Sequence, residues 1–343
     1  MRQSQKEIER LKKQYQAELL QIRDDPSDFA SLSFIKKLYD KHPYATPQLG
    51  TLDGLKNIKR EHVVSFYKGH LIPHNAVVAV VGDFETSKMH GLLEKFFAGW
   101  AGNSHVVIPS NSEESRKNES ETTLSKSSNS IFPSLKESKI YVIHKPGLSQ
   151  SQIRIGTLAI PRTHPDYFQY LVSNHLFGGA FGALLNQKIR DDLGLTYSIY
   201  SQLKPGMMTG HWAIQTFTRN DQLSKTVQEI FSLLSKFQDL ASEEDLKQAK
   251  AHLSGSFLLS QETVESMAST LLLYRSLGLP SEELKNWRSK VESINLKQVT
   301  HIAQNYWTGK NVVILVLTDE KTKIEKWPIE ASVSELSFEE VPL

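Results

Sequence analysis

The stretch 181–200, FGALLNQKIRDDLGLTYSIY, is the most distinctive in the chain for the chemistry it could carry. Its apolar spacing predicts a helix carrying Arg190; Gly194 breaks that helix, and a following strand carries Tyr197. A guanidinium and a phenol placed this way can converge on one point. There they could hydrogen-bond a peptide carbonyl or a developing oxyanion. The same spacing suits an arginine in a surface ion pair and a tyrosine filling a sheet, and the residues alone favour that plainer account.

Glu18 is the second candidate. It follows Tyr15 by three and Leu11 by seven, and precedes Ile22 by four, so it lies along the apolar side of its helix. A carboxylate there needs a partner, a metal or water. A flanking Glu that reaches out to solvent fits the pattern as well, and on pattern alone fits it better.

Zinc-peptidase chemistry needs two histidines one helical turn apart, a carboxylate base and a third ligand. The twelve histidines are scattered, and neither H-E-x-x-H nor H-x-x-E-H occurs. His70 and His74 are four apart, but Pro73 between them spoils a helical pair, so they read as surface or loop residues. The run Gly178-Gly179-Ala180-Phe181-Gly182 lacks the lysine and hydroxyl ending of a phosphate loop. No G-x-S-x-G elbow is present.

These residues need elements to hold them. Ile8, Leu11, Tyr15, Leu19 and Ile22 recur at helical spacing, which predicts a helix over 5–23 that ends at Asp24-Asp25-Pro26. A second helix runs from Phe29 to Tyr39. Residues 60–70 and 86–98 read as helices, and Ala76 to Val81 as a buried strand closed by Gly82-Asp83. Beyond 138, strands are predicted from Lys139 to His144, Gln152 to Ile160, Leu195 to Leu203, Gly210 to Thr218 and Val312 to Leu317. Helices are predicted from Tyr167 to Leu176, from Phe181 to Asp192, and over 221–239, 242–260, 262–276 and 296–307. The class is α/β or α+β, with helices packed on mixed sheet.

The chain has 343 residues, enough for two domains, and a net charge of +2 that argues against nucleic acid. It has no cysteine, which excludes a disulfide framework, a thiol nucleophile and Cys-ligated zinc. No run approaches the ~18 apolar residues of a membrane helix. The charged start has no apolar stretch of the secretory kind, so periplasm and cytosol fit equally.

Residues 102–138 are rich in Ser, Asn, Glu and Lys and read as a linker. They divide an N-terminal unit, 1–101, from a second module, 139–328, with 329–343 as a tail. At a constant offset of 236, Ile58, Val63, Asn75, Val77, Val80 and Asp83 match Ile294, Val299, Asn311, Val313, Val316 and Asp319. Both copies read helix, turn, Asn, apolar strand, Asp, the mark of a repeated unit. If the modules are equivalent, residues 1–101 are the C-terminal half of the first. Its helices then lack strands to cover, and exposed apolar surface is expected there.

Taken together, the stretches from Glu18 through Asp25-Pro26, HPYATPQLGTLDGLKNI, HLIPHNAVVAVVGDFE, SQIRIG, HLFGGAFGALLNQKIRDDLGLTYSIYS and NVVILVLTDE resemble the insulinase, pitrilysin and mitochondrial-processing-peptidase family of zinc metallopeptidases. The resemblance implies homologous modules closing like a clamshell around an unfolded peptide. It implies an H-x-x-E-H zinc motif in the first module with a downstream glutamate, matched by Glu18, as third ligand. It also implies an Arg and a Tyr from the second module, matched by Arg190 and Tyr197, reaching the substrate near the metal. One carboxylate cannot hold zinc or activate water, so the chain by itself is expected to be inactive. The expected role is the peptide-binding part of a zinc endopeptidase, with the histidines supplied by a homologous catalytic module or an oligomer. The alternatives are a non-catalytic scaffold subunit and a non-functional gene fragment.

Overall fold

The computed structural model describes residues 4–100, 135–324 and 326–342. The expected linker falls mostly outside these residues. Among the described residues no helix is long and apolar enough to cross a membrane.

The first described part is helical: α1 (Gln5–Asp24), α2 (Pro26–Tyr39), α3 (Leu52–Asn57), α4 (Arg60–His70) and α5 (Thr86–Phe97). The break between α1 and α2 has a simple cause. Asp25 is extended, and its carboxylate accepts the Asp28 backbone N–H at 2.8 Å. Pro26, which has no N–H to satisfy, takes the first position of α2.

The second part holds β1 (Lys139–His144), β2 (Gln150–Ala159), α6 (Tyr167–Asn174), β3 (Ile199–Lys204), β4 (Gly210–Arg219), α7 (Leu223–Leu240) and α8 (Glu243–Leu259). It continues with α9 (Val264–Ser276), α10 (Ser281–Lys285), α11 (Trp287–Glu292), α12 (Leu296–Tyr306), β5 (Val313–Thr318) and β6 (Ser332–Ser337). The strands form one six-stranded sheet in the order β3-β4-β2-β5-β1-β6. The β3-β4, β4-β2 and β2-β5 pairs are antiparallel, while β1 is parallel to both β5 and β6. The mixed sheet with covering helices is the expected class.

β5 is buried at every position, so both sheet faces carry apolar side chains that must be covered. One core joins Ile140, Ile155, Ile314 and Val316 to residues of α6, α7 and α12 such as Tyr170, Ile230 and Ile302. The other joins Ile143, Ala213, Val313, Leu315 and Leu317 to Phe29, Phe34 and Leu38 of α2. A helix from the N-terminal unit thus closes the second module's sheet.

A charge pins it there. Arg154 of β2 is 2% exposed. Its Nε donates to Ser31 Oγ at 3.0 Å, and its Nη2 to the Ser27 carbonyl at 2.9 Å and Ser27 Oγ at 2.8 Å. Its Nη1 donates to the Thr216 carbonyl at 3.2 Å. Burial lowers its pKa to about 10, which leaves it charged at neutral pH.

Two expectations need correction. Ala76 to Val81 is neither buried nor in a strand: the backbone is unpaired, and Val77 and Val78 are 52% and 53% exposed. An apolar run forms a strand only when a neighbour accepts its ladder bonds, and among the described residues none does. The predicted exposed apolar surface is therefore present, with Phe66 and Phe96 also open. At the other end, 329–343 is more than a tail. It supplies edge strand β6, and Phe338 packs on Phe29 with ring centroids 4.6 Å apart. Arg23 Nη1 donates to the Val341 carbonyl at 3.0 Å, fastening α1 to that end.

The internal repeat extends to the order and spacing of the helices. Shifted by 236, α4 (Arg60–His70) falls on α12 (Leu296–Tyr306). α3 lands within one residue of α11, and 76–81 within one residue of β5. α1 and α2 land on α8 and α9 within about two residues, the usual uncertainty of helix ends.

Replacing Arg154 with Ala removes its bonds to the partly buried Ser27 and Ser31 and to the buried Ile153 and Thr216 carbonyls, and is expected to cost about 2–4 kcal/mol. Urea unfolding of the variant checks this. An unfolding midpoint equal to the parent's would mean that apolar contact alone holds α2 on the sheet.

Candidate functional site: a cleft along an edge strand

The chain between α6 and β3 departs from regular geometry. Residues 175–179 and 186–192 wind as π-helix, a form found mostly where function or packing demands it. The demand here comes from two glycines. A Cβ on Gly178 would sit 2.5 Å from Leu185 Cδ1 and 2.9 Å from the Ser201 backbone nitrogen. One on Gly179 would sit 2.8 Å from Asn174 Nδ2. The helical backbone therefore lies directly against β3. Asn174 is the buried tie: Oδ1 accepts from Ser201 Oγ and from Trp212 Nε1, both at 2.8 Å.

Arg190 lies on the second π-wound segment. Gly194, with φ of +60°, turns the chain out of it, and its N–H donates to the Arg190 carbonyl at 3.1 Å. The chain then enters β3 through a turn fixed by hydroxyls. Thr196 Oγ1 donates to the Phe217 carbonyl and Thr218 Oγ1 to the Leu195 carbonyl, each at 2.6 Å. Tyr197 projects from that turn, 78% exposed.

The result is a convergence. The Arg190 guanidinium carbon lies 4.6 Å from the centroid of the Phe181 ring and 5.6 Å from that of Tyr197. Both rings face solvent and flank a half-buried cation, a geometry in which the rings hold the guanidinium without neutralising it. Asp191 stands 3.9 Å away. These residues line a cleft of about 480 Å³ that runs beside Ser198 to Leu203, that is, along β3. β3 is an edge strand, so its outer backbone groups can accept another strand.

Glu18 does not line this cleft. It is half-buried on α1 and accepts a hydrogen bond from Gln14 Nε2 at 2.9 Å. Among the described residues no group of three or more His, Asp or Glu is placed to hold a metal. By itself, with no imidazole beside it among the described residues, this carboxylate makes no zinc site. His70 stacks on Phe66 at 4.2 Å and its Nδ1 pairs with the Phe66 carbonyl, so it faces its own helix.

Arg190 and Tyr197, the pair singled out by residue type, share this cleft, and Phe181 and the glycine pair stand beside them. Two adjacent glycines before a helix, followed by an aromatic, was the available signal; it was weighed only as a phosphate loop.

A family profile described as the peptidase M16 inactive domain matches residues 57–253, more than half of the chain. The chain belongs to the peptidase M16 family. It is 24% identical over 318 residues to an uncharacterized zinc protease of Bacillus subtilis, covering 90% of this chain and 70% of that protein. It is 23% identical over 319 residues to a non-peptidase homolog of Helicobacter pylori, covering 93% of this chain and 69% of that one. Among solved structures, the peptidase M16 inactive domain from Pseudomonas fluorescens superimposes with a TM-score of 0.78 at 23% identity, covering 93% of this chain and 72% of that chain. Across curated relatives, the chain spans from 52% to 70% of their length.

Beside this M16 cleft, His175 begins the first π-wound segment and stacks on His252 with ring centroids 4.8 Å apart. Burial, and then the charge of His252, lower its pKa to about 4. The folded state thus keeps it neutral where an unfolded imidazole, near 6.5, takes a proton. The unfolded chain binds more protons across that window, so stability falls as pH drops from about 6.5 toward 4, by about 2–3 kcal/mol for this group. Urea titrations at pH 7 and pH 5 should show the loss, and His175→Gln should shrink it. An unchanged pH dependence in that variant would contradict the assignment.

Proposed function

We propose that this M16 chain is a peptide-binding, non-catalytic part of a zinc-peptidase assembly, with the cleft along β3 as its binding site. The observation that carries this reading is the meeting of Arg190, Tyr197 and Phe181 at the open edge of β3. An extended peptide laid on β3 gains backbone ladder bonds, which do not depend on its sequence. Arg190 supplies a fixed cation toward a peptide carbonyl or carboxylate, and the Tyr197 hydroxyl a second donor. The two rings supply apolar contact for side chains. Such a site suits unfolded peptide rather than a folded surface, because only an extended backbone can pair with an edge strand.

Hydrolysis needs a metal-bound water, and the described residues offer no donor set for the metal. In this reading the histidine ligands come from a homologous catalytic module. Two relatives set the alternatives. The Bacillus subtilis protein is named a zinc protease, while the Helicobacter pylori protein is named a non-peptidase homolog. The second name fits either non-catalytic reading, a peptide-binding part or a scaffold subunit.

Fluorescence anisotropy with a labelled unstructured peptide separates the two. Binding should saturate without added zinc. Arg190→Ala and Tyr197→Ala should each weaken it about tenfold, and Arg190→Lys should recover little, since the fork of donors is lost. Absence of saturable binding by the parent, or equal binding by both alanine variants, would leave the scaffold reading.

A further inference from the structure

Among the described residues, four arginines are at least partly buried: Arg23, Arg154, Arg162 and Arg190. Three of them have acceptors. Arg23 donates to the Phe338 and Val341 carbonyls and pairs with Glu339 at 3.0 Å. Arg154 donates to Ser27, Ser31 and the Thr216 carbonyl. Arg162 pairs with Glu283 at 2.7 Å. Arg190 differs. Its side chain is only 26% exposed, yet it donates no hydrogen bond to any described residue. The carboxylate of Asp191 stands 3.9 Å from Nε, beyond hydrogen-bond reach, and is itself 56% exposed. Asp192 is taken by Lys188 at 2.7 Å. The Phe181 and Tyr197 rings meet the guanidinium through their faces and leave its charge in place. Arg190 is also the one charged residue in the described lining of the cleft, so no carboxylate of the wall competes for it there.

We infer that the peptide taken by this cleft carries a carboxylate, from an Asp or Glu side chain or from a free C-terminus, and that this group sits on Arg190. The inference rests on the peptide-binding reading above and narrows it to acidic or C-terminal segments. A backbone carbonyl offers the guanidinium one oxygen and no charge. A carboxylate offers two oxygens matched to the fork and cancels the charge as well. Partial burial between two rings strengthens that pairing, because less water competes for it. The place of the cation fits the same ligand. Arg190 stands beside the turn that leads into β3, and β3 then runs from Ile199 to Lys204, about 20 Å at strand rise. A chain paired along β3 therefore meets the cation at one end of its run and Leu203 toward the other. A lysine or arginine at that first end would face Arg190 with no carboxylate of the lining to receive it.

The test compares, by fluorescence anisotropy, four versions of one unstructured peptide that has no other acidic residue and carries an uncharged dye. One is amidated at its C-terminus and one ends in a free carboxylate. The other two are amidated and carry an internal Glu or an internal Lys. At least one of the two carboxylate peptides should bind about tenfold tighter than the plain amide, and the lysine peptide should bind no tighter than it. Which carboxylate peptide gains identifies the source of the group. The gain should shrink as sodium chloride is raised. Arg190→Gln keeps the length of the stem and should level the preference, with circular dichroism showing that the fold is kept. Lys204→Gln, at the far end of β3, should retain it. Equal affinity for all four peptides overturns this inference and leaves the peptide-binding reading standing; failure of all four to bind overturns both. A gain that salt does not reduce, that survives in Arg190→Gln, or that disappears in Lys204→Gln overturns the seat on Arg190.

Discussion

A strand buried on both faces cannot be closed by one layer of helices. β5 imposes that condition, since Val313, Leu315 and Leu317 face away from the core that α6, α7 and α12 build. The chain meets it with α2, a helix some 290 positions earlier in the sequence. Apolar contact alone would let α2 slide along the sheet, because hydrophobic burial has no direction. Arg154 supplies the direction. It reaches from the middle of β2 to Ser27 and Ser31, one turn apart on α2, and sets both the position and the rotation of the helix. A guanidinium suits the task better than an ammonium, because its planar fork serves several acceptors at once.

That arrangement explains what the sequence made legible and what it hid. Helices with apolar residues at helical spacing were readable: α1, α2, α4 and α7 appear where spacing placed them. Central strands β1, β2, β4 and β5 were readable as apolar runs. β6 was hidden because both its faces are largely exposed, so SVSELS carries no apolar period. The region 195–198 was read as strand but is a turn, held by Thr196 and Thr218 hydroxyls that periodicity does not register. Ala76 to Val81 shows the opposite limit. Its composition is that of a buried strand, and local composition cannot say whether a partner strand is there.

The site was legible in part for a related reason. Arg190 and Tyr197 stood out by residue type, and the structure does bring them to one cleft. What pattern could not supply was the mechanism of approach. Gly178 lets a π-wound helical backbone touch β3 at distances no Cβ would permit, and Gly179 does the same against Asn174 of α6. That contact is made by absent Cβ atoms, and absence leaves no periodic signal. Phe181 escaped for a similar reason: an exposed aromatic after a glycine run reads as a loop residue until the cation beneath it is placed.

Glu18 and Arg190 mark two different states of a functional group. Arg190 keeps its charge beside solvent, cradled by rings that cannot neutralise it, with one carboxylate at the edge of ion-pair range. Its potential remains available to something that enters the cleft. Glu18 is engaged by an amide from its own helix, and the described residues place no metal-holding group around it. A metal ion would have to displace Gln14 and recruit two further donors. The division follows from what each group requires: a backbone carbonyl can be captured by one arginine and one hydroxyl, whereas a zinc hydroxide needs three ligands fixed at once. The cleft already brings its two groups together, whereas the described residues do not bring three ligands to Glu18.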